Sequence, residues 1–185
     1  MRQIAHFIPR FRARCFRGTG IALLAVFLLF PLPASSETVL HEAKVVAVVD
    51  GDTVKLLLNG EKRTSRLIGI DAPEMGQVPW GRKSREHLRA LLKQSAWRVS
   101  VEMDVEQTDR FRRSLVYLWL QNGEMVNERM LLDGYAFRFT MKPNTRYSER
   151  FKKAQRTARE KKLGVWGPDG PKERPVDYKK DHPHK

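Results

Sequence analysis

The chain has 185 residues, 41% hydrophobic and 30% charged, with a formal net charge of +14 and a pI near 10.3. That length holds one domain with extensions and excludes a second full domain, and the composition is that of a globular protein. The charge makes a polyanion the leading partner class, because Lys and Arg gain free energy by displacing counterions from phosphates, although a merely soluble basic protein has the same balance.

The first 36 residues read as a secretory signal peptide. Arg2, Arg10, Arg12, Arg14 and Arg17 form a basic lead without an acid, Ile21 to Phe30 is continuously apolar, and Ala34-Ser35-Ser36 supplies the small residues of a cleavage site. The apolar run is about ten residues, short of the roughly 20 that span a bilayer. Cleavage near Ser36 removes five Arg and no acid, so the formal charge falls to +9. It also removes Cys15, the only cysteine, which excludes a disulfide framework from the mature chain.

Lys44 to Val49 and Thr53 to Leu58 are β-branched and aliphatic runs joined by Asp50-Gly51-Asp52, and Asn59-Gly60 leads to a third run ending at Ile70. Two turn dipeptides between apolar runs predict a three-stranded meander. Trp80 to Lys93 carries Trp80, Leu88, Leu91 and Leu92 at helical spacing. Arg98 to Val105 alternates cleanly as a strand, Leu115 to Leu120 is a fifth strand, and Val126 to Leu132 is a short helix stopped by Gly134. A last helix from about Tyr147 to Lys162 puts Tyr147, Phe151, Ala154 and Ala158 on one stripe.

This order predicts an α+β domain over residues 37–166, built as a five-stranded OB-fold β-barrel with three α-helices. Residues 167–185, with Pro168, Pro171, Pro175 and Pro183 among Lys, Asp and His, lack apolar periodicity and are expected to be a disordered basic tail.

Three segments carry the chemistry. Asp50-Gly51-Asp52 is good hairpin chemistry in its own right. Asp71 adds a carboxylate at the end of the third strand, beside Pro73, where the extended backbone frees the Ala72 carbonyl to face a ligand. Two carboxylates, a carbonyl and waters suit Ca²⁺, which takes about 6 to 8 oxygens, whereas no Cys/His set supports zinc. Glu74, on the loop leaving the same strand, is either a surface acid or a base for an attacking water.

Arg66 sits mid-strand among apolar neighbours, as a solvent-facing alternation position or as a paired charge. Positions 66 and 71 differ by an odd number, so a flat strand would point them to opposite faces, and convergence requires a bend, for which Gly69 is the candidate. Asp109 to Arg113 is a charged connection whose guanidiniums match phosphate oxygens bidentately.

Taken together, Val49 to Val54, Arg66 to Glu74, Thr108 to Arg113 and Lys142-Pro143-Asn144 resemble the staphylococcal nuclease (thermonuclease) family from about Val45 to Trp166. The resemblance implies a Ca²⁺-dependent phosphodiesterase that cuts DNA and RNA, single strands favoured, to 3′-phosphate products. It implies Asp52 and Asp71 as side-chain metal ligands, with the Ala72 backbone carbonyl as a third. Arg66 and Arg113 would be the phosphate-binding arginines and Glu74 the general base, with Arg110, Phe139 and Lys142 contacting substrate.

Ala72 replaces the family's frequent Thr, and Arg112 stands where a Gly usually precedes the second arginine. Met141 occupies a position where family members often have an aromatic. The expected protein is a monomer, exported to the periplasm or the medium, without stable membrane association after cleavage. Its rival from another class is a catalytically inactive nucleic-acid-binding or scaffolding module, and that rival normally lacks one or more of the acids and arginines present here.

Overall fold

The computed structural model describes residues 39–183, so the expected signal peptide over residues 1–36 lies outside the described residues. Strands β1 (Leu40–Val48), β2 (Thr53–Leu58) and β3 (Glu61–Leu67) form the antiparallel meander. Asn59 and Gly60 both have positive φ, 51° and 82°, as a two-residue hairpin turn that follows strand twist requires. After a break come β4 (Ile70–Asp71), α1 (Trp80–Gln94), β5 (Arg98–Glu102), β6 (Ser114–Leu120), α2 (Val126–Leu132), β7 (Phe137–Arg138) and α3 (Ser148–Glu160).

The five main strands close into a barrel in the order β1-β2-β3-β6-β5, with β5 pairing back onto β1. The β3–β6 pair is parallel and the others antiparallel. The expected α+β five-stranded barrel is therefore observed. It carries an additional two-stranded sheet, β4 with β7, to one side.

Alternation fills the barrel. Val54, Leu56, Leu67, Val99, Val101, Val116 and Leu118 are essentially inaccessible to solvent. The helices press their apolar stripes against it: Leu88, Leu91 and Leu92 from α1, Val126, Met130 and Leu131 from α2, and Phe151 and Ala154 from α3. Burial of these stripes, at about 25 cal/mol per Å² of apolar surface, is what holds the helices in place.

Two expectations change. Strand β5 stops at Glu102 rather than Val105, because Glu102 is buried and accepts from Tyr147 Oη at 2.9 Å, Trp119 Nε1 at 2.8 Å and Arg146 Nη1 at 2.6 Å. Tyr117 Oη donates to Asp104 at 2.9 Å. Glu102 closes the ladder, opposite Leu40 and Tyr117, and the acid partners hold residues 103–104 out of it.

The expected disordered tail is instead placed against the domain. A 3-10 turn (Gly164–Trp166) is followed by α4 (Pro175–Asp181), and Trp80 Nε1 donates to the Asp169 carbonyl at 2.7 Å. Aromatic and polar contacts outside any periodic stripe dock this segment.

Candidate active site

The site grows from the β1–β2 turn. The Val49 N–H donates to the Thr53 carbonyl at 2.9 Å, and the Asp52 N–H donates to Asp50 Oδ1 at 2.9 Å, closing the loop on itself. Gly51 is required for space rather than for an unusual φ: an added Cβ would lie 2.6 Å from the Ala72 Cβ and 2.7 Å from the Ser84 Cβ. This contact brings the turn against the strand that carries Asp71. The Ala72 N–H then donates to Asp52 Oδ2 at 2.7 Å.

Arg66 pairs in register with Thr53, beside Asp52. Its side chain is buried, and the solvent-facing alternative does not hold. One nitrogen, Nη1, lies 3.0 Å from Asp52 Oδ1, and the other, Nη2, 3.2 Å from Asp71 Oδ1. A charge removed from water is costly unless paired and hydrogen-bonded, and both conditions are met here.

The parity problem between positions 66 and 71 is solved at Gly69. Strand β3 ends at Leu67, Gly69 turns with φ +81°, and Asp71 then belongs to β4, which pairs with β7 instead of continuing the barrel. The Phe151 ring packs over Gly69 where a Cβ would go, so no other residue fits this bend.

Glu74 is partly exposed beyond Pro73, and its N–H donates to Gln77 Oε1 at 2.9 Å. Its carboxylate shares an ammonium with Asp71. Lys179 Nζ, from α4, is 2.9 Å from Glu74 Oε1 and 2.8 Å from Asp71 Oδ1. Burial works against the Lys179 charge, but Asp71 and Glu74 outweigh it and raise its pKa above that of an ordinary lysine. Burial, and then the charge on Asp52, push the Asp50 carboxyl up to about 6.

Asp52, Arg66, Asp71, Ala72 and Glu74 are thus gathered in one place. Arg113 stands apart on the connection into β6, with Nε 2.8 Å from Asp109 Oδ2. Its guanidinium and that of Arg110 lie 5.4 and 4.7 Å from the centroid of the exposed Phe111 ring. The Phe139 N–H donates to the Gly69 carbonyl at 2.9 Å, which places that aromatic beside the bend. Lys142 is exposed and makes no ion pair among the described residues.

Three participants had not been expected: Lys179, Gln77 and the fully buried Asn127. Asn127 Nδ2 donates to the Ile68 and Val116 carbonyls at 2.9 and 3.2 Å, and its Oδ1 accepts the Leu118 N–H at 3.0 Å.

The donor set is hard oxygen. Among the described residues no three His, Cys, Asp or Glu side chains form a protein cage for a metal. The two buried carboxylates, Asp52 and Asp71, with further positions left to water, suit a hard cation better than a tetrahedral one.

The family described as Staphylococcal nuclease homologue matches residues 64–168. A thermonuclease of Staphylococcus hyicus is 34% identical over 128 residues, covering 66% of this chain and 74% of the relative. A thermonuclease of Staphylococcus intermedius is 33% identical over 164 residues, covering 80% of this chain and 96% of the relative. A micrococcal nuclease of Shigella flexneri is 33% identical over 155 residues, covering 77% and 81%.

Proposed function

Because the chain belongs to the staphylococcal nuclease family, we propose that it is an exported, Ca²⁺-dependent endonuclease that hydrolyses P–O5′ bonds of DNA and RNA to 3′-phosphate products. The observation that carries this reading is the buried Arg66 guanidinium shared by Asp52 and Asp71, with Glu74 alongside. Burying charge costs several kcal/mol per ion, and here two carboxylates, one in the β1–β2 turn and one on β4, are brought to the same guanidinium.

Asp52, Asp71 and the Ala72 carbonyl would hold the ion. Bound Ca²⁺ supplies neutralisation of phosphoryl charge and a more acidic water. Arg66 and Arg113 offer guanidinium forks to the phosphoryl oxygens, donors that act where negative charge builds in the transition state. Glu74 takes the proton of the attacking water. Arg110, Phe139 and Lys142 contact the strand, and the basic face of α3, with Lys152, Lys153 and Arg156, holds it electrostatically. Single strands are favoured substrates, and the protein acts as a monomer in the periplasm or the medium after cleavage near Ser36.

The test is gel degradation of single-stranded DNA, duplex DNA and RNA by the full chain, with Ca²⁺, with Mg²⁺ and with chelator, beside Arg113→Ala. Cutting that needs Ca²⁺ and falls about 10²- to 10³-fold in the variant supports the reading. Intact substrate that still shifts on the gel would replace it with a binding module.

A further inference from the structure

We propose that Lys179 is a tethered competitor for the cation site, so that the C-terminal helix sets the Ca²⁺ concentration at which the protein becomes active; this rests on the nuclease reading above. One ammonium engages two carboxylates with different assigned tasks: Asp71, a metal ligand, and Glu74, the base. An oxygen lone pair given to Nζ–H is withheld from a cation, and the Glu74 oxygen bonded to the ammonium is not free to face a water. The docked helix therefore holds back both functions with one group.

The contact is built rather than incidental. Gln77 is buried and works in two directions, accepting the Glu74 N–H through Oε1 at 2.9 Å and donating Nε2 to the Glu173 carbonyl at 3.0 Å. The backbone of the proposed base is thereby linked to the tail. The Tyr178 hydroxyl lies against Gly76, where any side chain would collide with it. The Arg174 guanidinium lies 5.6 Å from the centre of the ring of Phe137, the partner of Asp71 in the small sheet. The residue beside Lys179 thus packs on the loop that carries Glu74, and the residues before it bond to that loop and to β7.

The contact is also releasable. The Lys179 side chain is 38% exposed, so its stem can swing the ammonium into water, and ion pairs at such positions are weak. A divalent ion offers the same carboxylates twice the charge. When a binding-competent state is populated only in part, the apparent Kd is the intrinsic one divided by that population. A helix docked about nine-tenths of the time weakens Ca²⁺ binding by about tenfold.

Isothermal titration of Ca²⁺ into the full chain and into its Lys179→Ala and Tyr178→Ala variants tests this without reference to turnover. Tyr178→Ala loosens the helix while keeping every carboxylate and the Lys179 ammonium in the chain. Both variants are expected to bind Ca²⁺ about tenfold more tightly than the parent, whereas damage to the fold would weaken binding. Parent-like or weaker affinity in both variants overturns the proposal and leaves the nuclease reading standing. The absence of Ca²⁺ binding in all three proteins overturns the metal reading and this inference with it.

Discussion

Asn127 holds Ile68: the fully buried amide donates to the Ile68 carbonyl at 2.9 Å, across 59 positions of sequence and one residue before the Gly69 bend. The same amide takes the Leu118 N–H and reaches the Val116 carbonyl. One side chain of α2 therefore satisfies backbone groups on both sides of the parallel seam where the chain must turn. Asn127→Leu removes the side-chain partner of the Ile68 carbonyl and of the Leu118 N–H, each loss costing about 1–3 kcal/mol, while the Val116 carbonyl keeps the Ile68 N–H at 2.9 Å. The expected loss is about 2–4 kcal/mol, read from the urea midpoint at constant m. A loss under about 0.5 kcal/mol would show that water replaces the amide.

Gly51→Ala tests the close approach that joins the turn to β4. The new methyl meets the Cβ atoms of Ala72 and Ser84 at under 3 Å, and overpacking of this kind costs about 1–3 kcal/mol. Displacement of Asp52 should accompany the loss and lower Ca²⁺ affinity. In a double-mutant cycle, Ala72→Gly should restore part of both quantities, since it removes one of the two colliding atoms. Strict additivity of the two substitutions would refute the steric account.

Glu74→Gln keeps the shape of the side chain and removes its basicity. Cleavage should fall by about 10²- to 10⁴-fold while binding of single-stranded DNA, followed by fluorescence anisotropy in Ca²⁺, stays near the parent value. Equal loss of both would assign Glu74 to binding rather than to proton transfer.

Arg112 has φ +63°, a conformation that costs a residue with a Cβ roughly 1–2 kcal/mol and glycine little. This gives a physical reason for the glycine usual at this position in the family. Arg112→Gly should stabilise the protein by about 0.5–1 kcal/mol, part of the strain relief being offset by the greater freedom of the unfolded chain. Calorimetry that records a lower Tm would contradict this.

Burial and the hydrogen bond to Glu102 push the Tyr147 phenol up to about 12 from an ordinary 10.0. A folded-state pKa raised in this way contributes stability that is complete below pH 10 and is lost as pH rises through 12. Tyr147→Phe should lower stability at pH 7 by about 1 kcal/mol and flatten the alkaline decline within that window. Urea midpoints at pH 7, 10 and 11.5 read both effects, and parallel pH profiles for the two proteins would place the alkaline loss elsewhere.

The barrel was legible because its strands obey two-residue alternation and its helices a 3.6-residue stripe, both of which follow directly from burial on one face. Asp52, Arg66, Asp71 and Glu74 were legible as residue types out of place: acids in and after a turn, and a guanidinium within an apolar strand. Their convergence was foreseen only as a requirement for a bend, and the bend is at Gly69.

Asn127 was hidden because it occupies an ordinary helical position and its partners are main-chain atoms, which leave no trace in residue identity. The tail was misjudged because aperiodic, Pro-rich composition was read as disorder. The signal that would have identified α4 was its end chemistry, with Pro175 in the first turn, Asp177 after it and Lys179 and Lys180 in the last turn. Its docking on Gly76 and Gln77 depends on contacts about a hundred positions away in sequence, which no local pattern encodes.

The parallel pairing of β3 with β6 sets Ser65 opposite Ser114 and Arg66 opposite Leu115. Arg113 precedes that ladder by one residue, and its own main chain is tied to Asp109: its N–H donates to Asp109 Oδ1 at 2.9 Å and its carbonyl accepts the Asp109 N–H at 3.0 Å. At about 3.3 Å per residue and 4.8 Å between strands, the backbones of Arg66 and of Ser114, the residue after Arg113, are roughly 6 Å apart. The separation of Arg66 from the residue after Arg113 is thus graduated in main-chain hydrogen bonds. That spacing is expected to persist on heating until the barrel itself opens, whereas the side chain of Arg113 also follows the fate of the Asp109 loop.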